Sequence, residues 1–492
     1  MVPAATMSPV GSSSVRGGLS AVVGALVAVV LVTTVLLWGG PASPSPAGPH
    51  PPQFPILPAT LGGMNGSLVD LTSGFLGVNL RADAPFTASD ASALNSTGVR
   101  LVRWPGGGNG DRYDPLANGD RGVIYNGGGQ PSVPPTTLAN FVSWCRSVAC
   151  RSIITLPAEI DNASLAVSIV NYTEVALGFE PTYWEIGNEP ALWQHFDIPW
   201  SSWNDSQDSV PTPDQYSALV QSYVRAIRAV DPTTGIIGIG GIGKGASQLS
   251  QWFSPTLTVN GPNLSAMAIH VYPAGSGFPS SDLTAWFGSL WGGTGLPARV
   301  TSAESALRAD CPGCQLTLLV DEFQAGTGLG ATTSLTGGVL ATYVAAELVQ
   351  SLPLPLGSMD FYDFRSTTPG AWFNTSDDSS ATYALYRGLA GFFGPSAAQL
   401  NVTPPGNGLL AAVGGATPGP LTSLLLVNTN ATFGLRVNVT AVFPGVAGGT
   451  AWVFNGSANM PSVYPIGQGA WQVWTIPPAS LAILTGLGPT PY

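Results

Sequence analysis

The feature that most constrains this chain is a rhythm that begins near residue 75. Short apolar runs end in Gly, Pro or polar residues and alternate with longer stretches of helical periodicity. Eight such runs occur: "FLGVNL" (75–80), "GVRLVRWP" (98–105), "RSIITLP" (151–157), "PTYWEIGNE" (181–189), "GIIGIGGI" (235–242), "SAMAIHVYP" (265–273), "QLTLLVDEF" (315–323) and "LGSMDFYDF" (356–364). Most are apolar on both faces, the pattern of strands covered on both sides. The stretches between them carry helix signals. In "TPDQYSALVQSYVRAIRAVDP", Thr212 is an N-cap, Pro213 opens the helix, and Gln215 closes a capping box. Leu219, Tyr223, Ile227 and Val230 then form one stripe. Eight strand–helix units predict an α/β fold with a closed (β/α)8 TIM barrel over residues 75–394.

After residue 395 the pattern becomes short alternating strands such as "LTSLLLVNTN" and "GTAWVFNG", which predict an antiparallel β-sandwich over 395–492. Residues 60–74 are expected to add a strand to it. At the other end, residues 19–38 are twenty residues without a charge, long enough to span a bilayer. Arg16 precedes this run and no charge follows until Asp70, so the positive-inside rule puts the bulk of the chain outside. The expected layout is a cytoplasmic tail (1–18), a transmembrane anchor or signal sequence (19–39) and a Pro-rich linker (40–59), the uncleaved anchor being preferred. The domain is then extracellular, held at the membrane or secreted if the run is cleaved. A monomer is expected.

Composition agrees with an external location. Only 9% of residues are charged, the net charge is −11, and Lys244 is the one lysine, which excludes a nucleic-acid partner. Asn-X-Ser/Thr sequons occur at Asn65, Asn95, Asn162, Asn171, Asn204, Asn263, Asn374, Asn401, Asn430, Asn438 and Asn455, which are roughly half of all the asparagines. Four cysteines form two local pairs, Cys145/Cys150 and Cys311/Cys314. Two short disulfides are the expected reading. A shared four-cysteine zinc site is the alternative, disfavoured because the pairs precede strands three and seven. No metal and no cofactor is expected.

In a parallel barrel, function concentrates at the C-terminal ends of the strands. The fourth run ends in Glu189 and the seventh in Glu322, two carboxylates placed to face one another across the mouth. Glycoside cleavage requires such a pair, one protonating the leaving oxygen while the other attacks the anomeric carbon or activates water. The scarcity of charge near Glu189 and the anion at Glu322 predict a raised pKa for Glu189. Glu185 has the same strand parity but lies deeper, and reads as a buried structural acid with a hydrogen-bond partner.

"FLGVNL", "VRLVRWPGG", "YWEIGNEP", a glutamate on strand seven and a His/Tyr pair on strand six resemble clan A glycoside hydrolases, most closely glycoside hydrolase family 79, the heparanases and β-glucuronidases. Families 39 and 51 share the Asn-Glu element and a similar domain plan. The resemblance covers roughly residues 60 to 490. It implies a retaining, exo-acting β-glycosidase with Glu189 as general acid/base and Glu322 as nucleophile, their carboxyls about 5–5.5 Å apart. It further implies that Asn188 holds the sugar 2-hydroxyl, that Tyr272 donates to Glu322, and that Arg103 keeps the nucleophile ionised. Asn79, Asp83, Glu159 and Trp372 are candidate sugar contacts, Trp372 as a stacking platform. His270 is either a ligand of the site or a hydrogen-bonded core residue.

The substrate is a carbohydrate, but a uronic acid would need a cation to receive it. Arg81, Arg112 and Arg365 are the candidates near strand ends, and basic clusters suited to a heparin-like polyanion are absent. A neutral or mildly acidic glycan fits better. An arabinofuranosidase or xylosidase of a sister family, and a non-catalytic glycan-binding envelope protein, are the alternatives.

Overall fold

The computed structural model describes residues 54–125, 131–160, 162–193, 211–238, 246–326, 335–367, 370–374, 376, 378–416, 419–440, 442–444, 449–466 and 473–487. The apolar run 19–38, the tail before it and most of the Pro-rich linker lie outside the described residues, as do Lys244 and Asn204. Among the described residues, no helix is long and apolar enough to cross a membrane.

The first element is a strand, β1 (Ile56–Asp70), so the linker expected to reach residue 59 ends earlier. The chain then enters the barrel through β2 (Leu76–Asn79) and β3 (Leu101–Trp104). A small hairpin, β4 (Tyr113–Asp114) and β5 (Val123–Ile124), decorates the loop that follows. The remaining barrel strands are β6 (Arg151–Leu156), β7 (Tyr183–Ile186), β8 (Ile236–Gly238), β9 (Ala266–Val271), β10 (Thr317–Phe323) and β11 (Leu356–Phe361). All eight strands expected from the sequence are present, and they close in the order β10-β11-β2-β3-β6-β7-β8-β9. Their apolar character on both faces has a direct cause. One face meets the surrounding helices, while Leu101, Ile153, Ile237, Ala266, Ala268 and Leu319 fill the barrel floor.

The helix Pro213–Val230 begins at the expected capping box, with Thr212 and Gln215 satisfying each other's backbone N–H groups. Its buried stripe runs through Tyr216, Leu219, Tyr223 and Ile227, whereas Val230 is exposed at the helix end.

The C-terminal region is not two sheets. Strands β12 (Ser396–Thr403), β13 (Leu409–Gly415), β14 (Leu421–Asn428), β15 (Gly434–Asn438), β16 (Gly449–Phe454), β17 (Ser462–Ile466), β18 (Val473–Ile476) and β19 (Ser480–Thr485) join β1 in one sheet. The order is β17-β16-β19-β14-β13-β12-β1-β15-β18. The expected sandwich becomes a single nine-stranded sheet because β1 bridges its halves, antiparallel to β12 and parallel to β15. Leu435, Val437 and Ile476 from the β15–β18 end pack into one cluster with Leu424, Leu426 and Leu484, so the sheet folds over on itself. Its other face carries Leu425, Val427, Leu481 and Ile483 into the barrel's own apolar cluster.

The helix Gly337–Ser351 lies at this junction and is buried at every residue but the half-buried Val339. Gly338 permits the close approach, since a Cβ there would stand 2.5 Å from the backbone nitrogen of Asn455. Two disulfides, Cys145–Cys150 and Cys311–Cys314, have Cα separations of 5.1 and 5.4 Å, as the local pairing predicts.

Candidate active site

Arg103 organises the barrel mouth. It sits on β3, is fully buried, and its guanidinium fans out toward three strands. Nε donates to Glu185 Oε2 at 2.6 Å, Nη1 to Glu322 Oε1 at 2.6 Å and to Asn79 Oδ1 at 3.0 Å, and Nη2 to Asn188 Oδ1 at 2.8 Å. Asp321 Oδ2 lies 3.4 Å from Nε. Burial opposes the charge, but the surrounding carboxylates overwhelm that penalty and raise the arginine's pKa still further. A planar fork with five donors is what satisfies this many acceptors at once.

Glu322, on β10, is held at both oxygens. Oε1 accepts from Arg103, while Oε2 accepts from the Tyr272 hydroxyl at 2.7 Å and lies 3.2 Å from His270 Nδ1. Glu189 lies three residues beyond β7 rather than at its end, with a left-handed backbone at φ 43°. Its carboxyl Oε1 is 3.0 Å from the same His270 Nδ1. His270 therefore stands between the two glutamates, and its other ring nitrogen is 3.5 Å from Asp321 Oδ1. Glu189, His270 and Glu322 each offer an atom within 4.8 Å of the others. They are also the group among the described residues that could hold a cation. The side chain of Glu189 is 28% exposed against 4% for Glu322, so one carboxyl meets solvent and the other does not.

The expected rise in the Glu189 pKa is not found. Burial pushes it up, but the His270 contact and the charges of Arg103 and Arg299 outweigh that and hold the carboxyl below the usual range. Sequence distance hid this: His270 is 81 residues away along the chain.

The turn bearing Glu189 is fixed from below. Gly187 has φ 76°, and a Cβ there would meet Trp193, Ala158 and Asp111. Asp111 Oδ1 accepts from the Asn188 backbone N–H at 2.5 Å, and Trp193 Nε1 donates to the Asn188 carbonyl at 2.7 Å. Burial, then the charge of Glu159, raise the Asp111 pKa well above normal.

Glu185 is a buried acid with partners, Arg103 Nε and the Thr155 hydroxyl, the latter at 2.8 Å. Burial and the neighbouring Glu185 raise Asp321 well above the usual carboxylate range.

Several expected sugar contacts are engaged within the protein itself. Trp372 is fully buried among Phe361, Phe364 and Tyr386, a core residue and not a platform. Asn79 is also fully buried; its Nδ2 donates to the Asp321 carbonyl and its Oδ1 serves Arg103. Glu159 is buried, 3.8 Å from Arg112 and close enough to Asp111 to raise its pKa. Asp83 is tied to Arg81 by two hydrogen bonds of 2.8 and 2.6 Å. Arg365 is paired with Asp90 and covers the Phe373 ring. Asp111 and Asp321 were not singled out from the sequence. Asp321 precedes Glu322 in "LLVDEF", and Asp111 lies in the long Gly-rich loop after β3, so position alone offered a signal.

Solved structures share this closed parallel barrel joined to a mostly antiparallel sheet. No family model and no curated protein matches the sequence. A family 51 α-L-arabinofuranosidase, AbfB from Bifidobacterium longum, is 15% identical with a TM-score of 0.63, covering 87% of this chain and 99% of its own. CelM2, a bifunctional glucanase-xylanase from a metagenome library, is 16% identical with a TM-score of 0.62, covering 88% of this chain and 99% of its own. A family 44 xyloglucanase from Paenibacillus polymyxa is 13% identical with a TM-score of 0.60, covering 87% of this chain and 100% of its own. At these identities the likeness establishes the fold. These structures belong to the clan anticipated from the sequence, but they lend no support to family 79.

Proposed function

We propose that this chain is a retaining glycoside hydrolase acting on neutral glycosides, with arabinofuranosides and xylosides ahead of glucuronides. The observation that carries the proposal is the pair Glu189 and Glu322, brought within one sugar's width at the barrel mouth and bridged by His270. Oxygens within 4.8 Å suit double displacement, for which carboxyl separations of about 5–5.5 Å are typical; inversion needs a wider gap.

In this reading the Glu322 carboxylate attacks the anomeric carbon while the bond to the leaving oxygen breaks and Glu189 supplies its proton. The glycosyl-enzyme then yields to a water whose proton returns to Glu189. Arg103 and Tyr272 keep the attacking carboxylate oriented, each donating to one of its oxygens. Asn188 has its Oδ1 held by Arg103, so the amide has only Nδ2 donors left to offer a sugar hydroxyl.

The preference for a neutral substrate rests on the arginines. Arg81, Arg112 and Arg365 each face a carboxylate of the chain itself: Asp83, Glu159 and Asp90. A uronate would compete with these carboxylates for the same guanidinium groups. The neighbours' own names, arabinofuranosidase and xyloglucanase among them, point the same way.

A panel of p-nitrophenyl glycosides tests the substrate, with turnover of a neutral pentoside expected above that of the β-glucuronide. Azide tests the roles. Glu322→Gly should lose at least about 1,000-fold in kcat and, with azide, give the glycosyl azide of inverted configuration, whereas Glu189→Ala should give the retained one. Residual full activity in either variant would remove the assignment.

A further inference from the structure

Eleven sequons occur in the chain, and the structure sorts those among the described residues from the other asparagines. Ten lie among the described residues, and none is buried. Asn162 and Asn430 are half-buried and the other eight exposed. Outside the sequons, Asn79, Asn188, Asn260 and Asn428 are buried.

Hydrogen bonding sets three of the sequon asparagines apart from the buried ones. Buried Asn79, Asn260 and Asn428 donate Nδ2 to backbone carbonyls. By contrast, Asn162, Asn430 and Asn438 are anchored through Oδ1. Asn162 accepts from Leu165 N at 3.0 Å, and Asn430 from Thr432 N and Phe433 N at 2.9 Å each. Asn438 accepts from the Thr440 backbone N–H and, at 2.7 Å, from its hydroxyl. Attaching a sugar replaces one hydrogen on Nδ2 and leaves Oδ1 in place. Those anchoring bonds therefore survive modification, whereas Nδ2 bonds in a protein interior would not.

A second observation concerns where the sequons lie. After Arg387 the chain contains no Asp, Glu, Lys or His and only one more arginine, Arg436. The sheet built from this segment nevertheless exposes Met460, Val463 and Tyr464. A surface with almost no charge needs another source of hydration. Asn65 on β1, Asn401 on β12, Asn430 before β15, Asn438 on β15 and Asn455 after β16 all fall on this sheet or its connections.

We propose that the nine-stranded sheet is the glycan-bearing surface of the molecule, with Asn430, Asn438 and Asn455 as its principal N-linked acceptors. The donor is a polyprenyl-diphosphate-linked sugar. Nδ2 bonds to the sugar C1, the C1–O bond to phosphate breaks, the diphosphate leaves with the electron pair, and Nδ2 gives up one proton. Asn65 and Asn401 rank lower because their Nδ2 groups already donate, to Gln399 Oε1 and the Gly63 carbonyl.

The test uses full-length chain recovered from the membrane and secreted fractions of cells that make it. Glycosidase release in H2(18)O converts each glycan-bearing asparagine to labelled aspartate for peptide mapping. Label at Asn430, Asn438 and Asn455 is the expected result, with a severalfold loss of solubility after deglycosylation of the folded protein and unchanged turnover. Recovery of all three peptides unmodified from chain with both disulfides oxidised overturns the proposal. So does label confined to the barrel sequons, or solubility unaffected by deglycosylation. Because deglycosylation acts on already folded protein, a folding defect cannot mimic the solubility result.

Discussion

The inner cluster of the folded-over sheet and the barrel mouth are both buried, yet they are built on opposite principles. The sheet's inner cluster is made of Leu, Val, Ala, Phe and Ile, such as Leu424, Val437 and Phe443. The mouth encloses Arg103, Glu185, Asp321 and Glu322, each essentially shielded from water. In a chain with 9% charged residues, that concentration is the informative contrast. Hydrophobic packing is the cheaper way to stabilise an interior, and burying ions gains little stability over it. Charges retained in such a place have a chemical use, and the sheet shows what the same chain does where none is required.

The contrast can be broken most severely at Arg103. Arg103→Met leaves Glu185 and Glu322 buried without their cation. We expect a loss of about 3–5 kcal/mol in denaturant-measured stability, together with near-complete loss of turnover. Leu424→Ala in the sheet should cost about 2–5 kcal/mol by the same measurement while kcat of the folded fraction is unchanged. If both variants lost activity in proportion to stability, the two regions would not be the separate devices described here.

Smaller effects sharpen the picture of the mouth. Asp111→Asn weakens the grip on the Asn188 backbone and should lower kcat about tenfold or more with little change in stability. Its readout is kcat against KM, since a purely structural role would move neither. His270→Asn removes the contact that depresses the Glu189 pKa, so the alkaline limb of the kcat/KM profile should move to higher pH. The wild-type optimum should be acidic, because a general acid with a lowered pKa loses its proton as pH rises through that value. A limb that stays in place would assign the depression to Arg103 or Arg299.

The smallest effect is on stability against pH. Burial first, opposed by the Ser366 hydrogen bond, pushes Asp363 up to about 7, and Asp321, Asp360 and Glu347 are raised as well. A raised carboxyl pKa stabilises the fold fully below its unfolded value and loses that contribution as pH rises through the folded one. For Asp363 the window runs from about pH 4, where an unfolded aspartate titrates, to about pH 7. The lowered Glu185 and Glu189 work in the opposite sense at more acidic pH. Melting temperature should therefore hold or rise from pH 7 to pH 5; a fall over that interval would contradict it.

How much was legible in the sequence follows from the range of each interaction. The barrel strands announced themselves because burial on both faces writes a continuous apolar run, and the capping box at Thr212 is a contact between residues three apart. Arg103 and Glu185 were readable because an ion in an apolar strand demands a partner. Other features are decided by residues far apart. The environment of Glu189 depends on His270, the enclosure of Trp372 depends on Phe361 and Tyr386, and the single sheet depends on β1 meeting strands more than three hundred residues later. Asp111 belongs to this group: nothing local distinguishes it from other acids in a Gly-rich loop.

The position of β1 has a consequence for how the molecule is made. One of the earliest ordered segments to leave the ribosome must wait for β12 and β15, among the last, before its backbone is paired on both sides. The barrel can collapse in the meantime, but the sheet cannot close, which makes the slow, long-range step the final one. A truncation before residue 396 would therefore strip an N-terminal strand of both neighbours. Such a fragment should behave as an aggregating species rather than a free-standing catalytic unit.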